Sequence, residues 1–279
     1  MSVVIPHSQR PLSVRRLDGE PGVERRNKDS SAILICELTT LTPLVINSVF
    51  RSMTDADQPY VPAASIRGMV RNMMEMLGAS CLRLVDAPAR NAPAGLKTCT
   101  RDKTCLTCRS FGFTEKADKT DKAAGCASKI SFSDAKPVPT VPGKPLSWKW
   151  KHVDVRRQYA GQPPPVDGWA LFEHGDLEVQ ILEKGDRQTT RCLAAGSRLR
   201  FRVEYINLDA EARALFLFAL TLRYQSYELC HKIGYAKALG LGACTIRILN
   251  PEAAAIGPEV EPYLADPPFQ HIYAARRLK

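Results

Sequence analysis

Cys105 and Cys108 form a C-x2-C pair inside KTCTRDKTCLTCRSFG, residues 97–112. That spacing lets two thiolates reach one tetrahedral cation, the chemistry of a zinc knuckle. Cys99 and Cys126 are the natural third and fourth ligands, with Cys81 in reserve. Four thiolates leave no open coordination position, so the expected centre is structural and closes a polar insert that has little core of its own. Nine cysteines in 279 residues that read as cytoplasmic suit metal better than a disulfide framework. Cys36, Cys192, Cys230 and Cys244 sit in apolar or strand-like surroundings and are expected to serve as small core residues.

Cations gather around these thiols. Between Arg83 and Lys151 stand fourteen Lys or Arg and six acids, a surplus that makes up most of the net charge of +10. A focused positive field favours a polyanion, and nucleic acid is the default. The longest relevant apolar run, Ala214 to Leu220, falls far below the roughly 18 residues of a membrane span. Pro6, His7 and Gln9 interrupt the N-terminus before any signal-peptide core begins. The expectation is a cytoplasmic protein without membrane partners.

Three further constellations could bind a nucleic-acid strand. In the first, Ser65 is a fitting N-cap, and Arg67 and Arg71 lie four residues apart on one helix face, suited to phosphate. The second is GYAKALGLG, residues 234–242, where Gly234, Gly240 and Gly242 permit close backbone approach. In that loop Tyr235 offers a stacking face and Lys237 a charge. The third interleaves Trp148, Trp150 and Tyr159 with Lys149, Lys151, Arg156 and Arg157, a mixture suited to splayed bases. His231 has no visible catalytic partner and reads as a packing residue.

The elements that must position these groups follow from periodicity. AILICELTTL (32–41) reads as a buried strand, and Ile66, Met69, Val70, Met73, Met74 and Leu77 recur at helical spacing until Gly78. SKISFSDA (128–135) and RLRFRVEYI (198–206) alternate as strands, and LEVQILEKG (177–185) is another candidate. Asp209 caps a second helix expected over 210–229, and ACTIRIL (243–249) closes the series as a strand. Strand, helix, strand, strand, helix, strand is the α+β, ferredoxin-like βαββαβ order. Residues 1–30 read as a flexible arm, 31–250 as the domain with inserts at 79–127 and 136–176, and 251–279 as a C-terminal tail.

PYVPAASIRGMVR (59–71), then CLTCRSFGF with SKISFSDA (105–135), and the loop GYAKALGLG together resemble the RAMP superfamily of CRISPR-associated proteins. The resemblance is to the backbone subunits that line up along a CRISPR RNA in type III and related effectors. It implies a guide-binding protein with Ser65, Arg67 and Arg71 on the RNA backbone. It also implies that 136–176 is a projecting thumb hairpin bearing Trp148, Trp150, Arg156 and Arg157. Implied partners are CRISPR RNA, target RNA, further copies head to tail, and other effector subunits including a separate nuclease. In type III backbones a loop aspartate before the first helix supports target cleavage, and Asp55 and Asp57 occupy that loop. Two competing readings are therefore a metal-dependent endoribonuclease acting through Asp55 or Asp57, and a zinc-containing DNA-binding protein.

Overall fold

The strand Arg198–Tyr205 buries Leu199, Phe201, Val203 and Tyr205 and turns Arg198, Arg200 and Arg202 outward, as its period of two demands. It lies in a computed structural model that describes residues 2–6, 16–18, 26–46, 59–78, 80–81, 99–100, 102–114, 125–139, 150–156, 168–172, 187–237, 240–250 and 255–277. The main sheet has six strands: β1 (Ala32–Thr40), β2 (Ile130–Phe132), β3 (Lys136–Pro137), β4 (Arg198–Tyr205), β5 (His231–Lys232) and β6 (Ala243–Ile248). Every pairing is antiparallel, and the order across the sheet is β5-β6-β1-β4-β2, with β3 also on β4.

Helices α1 (Ala63–Leu77) and α3 (Ala210–Thr221) pack on each other and on the sheet. Ile66, Val70 and Met74 of α1 share one buried cluster with Leu215, Phe216 and Phe218 of α3 and with Leu34, Leu38, Leu199 and Val203 of the sheet. Each buried side chain of this size contributes about 1.5–3 kcal/mol. The short helix α2 (Leu106–Phe111) joins the same core through Phe111, whose ring lies 6.3 Å from Phe132 and 6.3 Å from Phe216. The fold is therefore a mixed α/β domain with a helical layer on an antiparallel sheet.

Several boundaries differ from those expected. Helix α1 starts two residues before Ser65: its N-cap is Pro62, which has no side chain to cap with, and the Asp134 carboxylate accepts from Ala63 N at 2.7 Å instead. Asp209 does cap α3, accepting from Ala212 N at 2.7 Å. That helix ends at Thr221, not 229, because Leu222 turns left-handed (φ 53°) and residues 223–228 form a hairpin closed by Arg223 and Glu228.

The N-terminal arm is not free of structure. Ser2–Pro6 pairs with Gly168–Phe172, and Arg16–Asp18 with Lys103–Cys105. Strands this short take their order from a partner's backbone and leave no periodic signal of their own. Trp150–Arg156 pairs with Arg187–Leu193, which lies beyond the expected insert, while Lys136–Pro137 belongs to the main sheet.

The C-terminal segment is not a tail either. It forms α4 (Glu261–Ala265) and α5 (Pro267–Arg276), with Phe269, Ile272, Ala275 and Arg276 buried against the core. Pro267 and Pro268 are helix starters at N1 and N2 here, although prolines in sequence also read as breakers. Among the described residues no helix is long and apolar enough to cross a membrane.

Candidate functional site

Four buried cysteines converge at the N-terminus of α2. The sulfurs of Cys81, Cys99, Cys105 and Cys108 all lie within 4.8 Å of one another, with Cys81 and Cys108 3.4 Å apart and Cys105 and Cys81 3.9 Å apart. A cation with metal–sulfur bonds near 2.3 Å sets tetrahedral sulfurs roughly 3.8 Å apart, so the donor set fits such an ion. Cys105 is the N-cap of α2, and its sulfur accepts from Cys108 N at 3.4 Å. The Cys99 sulfur accepts from Cys105 N at 3.1 Å. Hydrogen bonds from Cys108 first, then Cys81 and Cys99, pull the Cys105 thiol down, while those with Cys105 push Cys108 up. Packed so closely, the four groups share protons and favour at least one thiolate.

The fourth member is Cys81, and Cys126 is displaced from that place. Cys126 stands on a two-residue strand opposite Phe113, with its thiol donating to Ala127 O at 3.4 Å. Gly112, at φ 70°, brings these segments together, and a Cβ there would meet Cys126 O at 2.5 Å. Cys36, Cys192, Cys230 and Cys244 are buried core residues, and burial pushes Cys36 to about 12 and Cys230 to about 11.

Arg67 and Arg71 face this knuckle, not open solvent. Arg67 donates to Phe111 O and lies 5.3 Å from the centre of the Phe111 ring. Arg71 pairs with Glu75 at 2.8 Å, donates to Gly112 O at 3.2 Å and reaches the Cys108 sulfur at 3.8 Å. The expected i, i+4 guanidinium pair therefore exists, with Arg71 on the thiol cluster and Arg67 on the carbonyl and ring of Phe111.

The other face of α1 opens onto a cleft of about 650 Å³. Ser65, Gly68, Met69 and Asn72 line one wall, and Gly234, Tyr235 and Lys237 the other. Lys232, His231 and Arg276 form the floor, and among the described residues no lining residue is acidic. Thus Ser65 of the first constellation, without Arg67 and Arg71, meets Tyr235 and Lys237 of the second across one gap.

The loop glycines serve the chain itself. Gly234 (φ 88°) presses on Val45 O, and Gly242 (φ 74°) on Ile233 O, so closely that a Cβ at either would collide. Gly240 (φ 89°) turns its carbonyl to Lys232 Nζ at 2.7 Å. Lys237 Nζ donates to Gly234 O at 2.6 Å. Burial, reinforced by Arg276, pushes Lys232 down to about 8.

His231 is buried, 1% exposed, and its Nε2 meets Leu220 O at 3.0 Å. Sequence reasoning missed Lys232, Asn72 and Arg276 as lining residues. A signal for Arg276 was present: it follows Phe269 and Ile272 on the buried stripe of α5, where a cation has no ordinary place. Asp55, Asp57, Trp148 and Arg157 lie outside the described residues, as does the candidate strand at 177–185. Trp150 and Arg156 sit at the two ends of the strand that pairs with residues 187–193.

The sequence profile described as "RAMPs: RAMP superfamily" matches residues 37–245. No curated protein sequence matches the chain. Among solved structures, a chain of the cryo-EM structure of the type III-B Cmr-beta bound to cognate target RNA is similar at 16% identity and a TM-score of 0.37. The match covers 78% of this chain and 59% of that one, so this protein spans less than two thirds of its neighbour's length.

Proposed function

The chain belongs to the RAMP superfamily, and from that premise we propose that it is a CRISPR RNA-binding subunit of a multi-subunit, type III or type III-derived RNA-guided effector. The observation that supports this most is the cleft, without an acid among its described lining residues, in which α1 and the 234–242 loop face each other over Lys232 and Arg276. In this reading the βαββαβ core is ferredoxin-like, since its four principal strands lie in the sheet as fourth, first, third and second.

The guide's ribose-phosphate chain runs through the cleft. Cations and the small residues Ser65 and Gly68 contact phosphate and sugar, and Tyr235 supplies a ring face. Such contacts fix register without reading bases, so specificity is left to pairing between guide and target. The cysteine cluster holds Zn²⁺ through Cys81, Cys99, Cys105 and Cys108. When bound, the metal crosslinks the knuckle and keeps the 99–114 segment seated on α1. Copies repeat head to tail along the guide through heterologous contacts, beside other effector subunits, a separate nuclease among them.

The test adds charge to the cleft wall. Asn72 is exposed on α1, so Asn72→Glu changes the field without disturbing the core. The variant is expected to bind single-stranded RNA more weakly for every sequence alike, with a salt slope shallower by about 0.7 if one phosphate contact is lost. A parent chain that prefers RNA no more than a neutral polymer at physiological ionic strength would overturn the reading.

A further inference from the structure

Buried polar atoms without partners are rare, and each needs a reason. Among the described residues four side-chain nitrogens are in this state, and three belong to the floor of the cleft: His231 Nδ1, Arg276 Nε and Arg276 Nη1. Arg276 is 5% exposed, and burial lowers its pKa only to about 10, so it stays charged at neutral pH. Lys232 lies beside it, also 5% exposed, and among the described residues no carboxylate lines the cleft. A buried charge with no counterion is strongly unfavourable and persists where a ligand supplies one.

The orphaned atoms have opposite polarity. Arg276 offers only N–H donors. His231 Nε2 faces a carbonyl, which can only accept, so Nε2 carries the proton and Nδ1 is a bare acceptor. The floor therefore lacks an anion with acceptor oxygens and, next to it, a hydroxyl donor. Backbone geometry holds both residues in place, since Arg276 O accepts from Cys230 N at 2.8 Å beside β5.

We infer that the floor of the cleft is a subsite for one ribose-phosphate unit of an RNA strand, which on binding draws the Arg276 guanidinium and the His231 ring out of the positions that seal their nitrogens from solvent, with the phosphate oxygens on Arg276 and the 2′-hydroxyl donating to His231 Nδ1. This rests on the RNA-binding reading above and adds where the strand is anchored and how RNA is told from DNA. A DNA phosphodiester has the acceptors but not the donor. Inorganic phosphate carries no ribose at all.

The test uses the full chain, parent and Arg276→Met, with a labelled single-stranded RNA, DNA of the same sequence, and inorganic phosphate as competitor. Arg276→Met is expected to weaken RNA binding about tenfold or more, as loss of a charge-assisted hydrogen bond does. Its salt slope should be shallower by about 0.7. Without RNA the variant should melt no lower than the parent, because methionine removes an unpaired buried charge. The parent should prefer RNA to DNA at least about tenfold, as a buried polar group left unpaired by the wrong ligand dictates. Millimolar phosphate should not displace the RNA.

If Arg276→Met binds RNA like the parent, or melts well below it, Arg276 is structural and the subsite is refuted while the proposed function stands. Equal affinity for DNA removes the hydroxyl contact, and displacement by phosphate alone reassigns the floor to a free anion. Failure of the parent to bind RNA at all is a different result and defeats the functional reading itself.

Discussion

His231 is the residue where burial and titration can be separated. Desolvation in the fold, with Arg276 adding to it, pushes the imidazole from 6.5 down to about 4, against the hydrogen bond to Leu220 O. Below pH 6.5 the unfolded chain takes up a proton that the folded chain refuses until about pH 4. Stability from this group is thus fully present above 6.5 and is lost as pH falls toward 4, by about 3 kcal/mol at pH 4. Glutamine can still donate to Leu220 O but does not titrate. Urea unfolding of the RNA-free parent and His231→Gln at pH 7 and pH 4 should show the parent losing about 3 kcal/mol more across that interval. Parallel losses would show that the histidine is not held neutral.

At the scale of elements, the knuckle joins α2 to α1 by two kinds of contact. One runs through the Phe111 ring, under the Arg67 guanidinium of α1 and packed on Phe132 of β2 and edge-on to Phe216 of α3. The other is polar, through Arg67, Arg71 and the four sulfurs. Purified parent is expected to carry about one zinc per chain, to lose it to a strong chelator, and to melt at lower temperature afterwards. Cys81→Ser should abolish the zinc and lower the melting temperature, whereas Cys126→Ser should retain both. Metal content by elemental analysis decides this, and a fully loaded Cys81→Ser sample would return the fourth position to Cys126. The C-x2-C pair was legible because its spacing is local. Cys81 was legible only as a reserve ligand, because eighteen positions separate it from Cys99 and only the packing of α1 against α2 brings it back. Arg67 and Arg71 were legible as a pair, but which face they served depended on where α2 docks, and no periodicity carries that.

For the whole molecule, β1, α1 and β4 were readable because each buries an apolar pattern long enough to declare its period, and α3 because an apolar run follows its Asp209 cap. The first thirty residues and the last thirty were not readable in the same way. Ser2–Pro6 and Arg16–Asp18 are ordered by partners more than eighty residues away. Helix α5 is ordered by the core it covers, through Phe269 against Phe218 and Tyr227. The same helix then carries two duties on one stripe. Phe269 and Ile272 hold the fold, while Arg276 is placed in the cleft at a cost to it. The two duties predict opposite signs. Phe269, 1% exposed, fills core volume, so Phe269→Ala should cost about 3–5 kcal/mol of unfolding free energy. At temperatures where that variant remains folded, its RNA affinity should stay close to the parent's. Arg276→Met should do the reverse, keeping or raising stability while losing affinity. Denaturant unfolding and RNA titration of both variants place each on these two axes. If both variants fall together on both axes, fold and cleft are one cooperative unit, and α5 has no separable binding role.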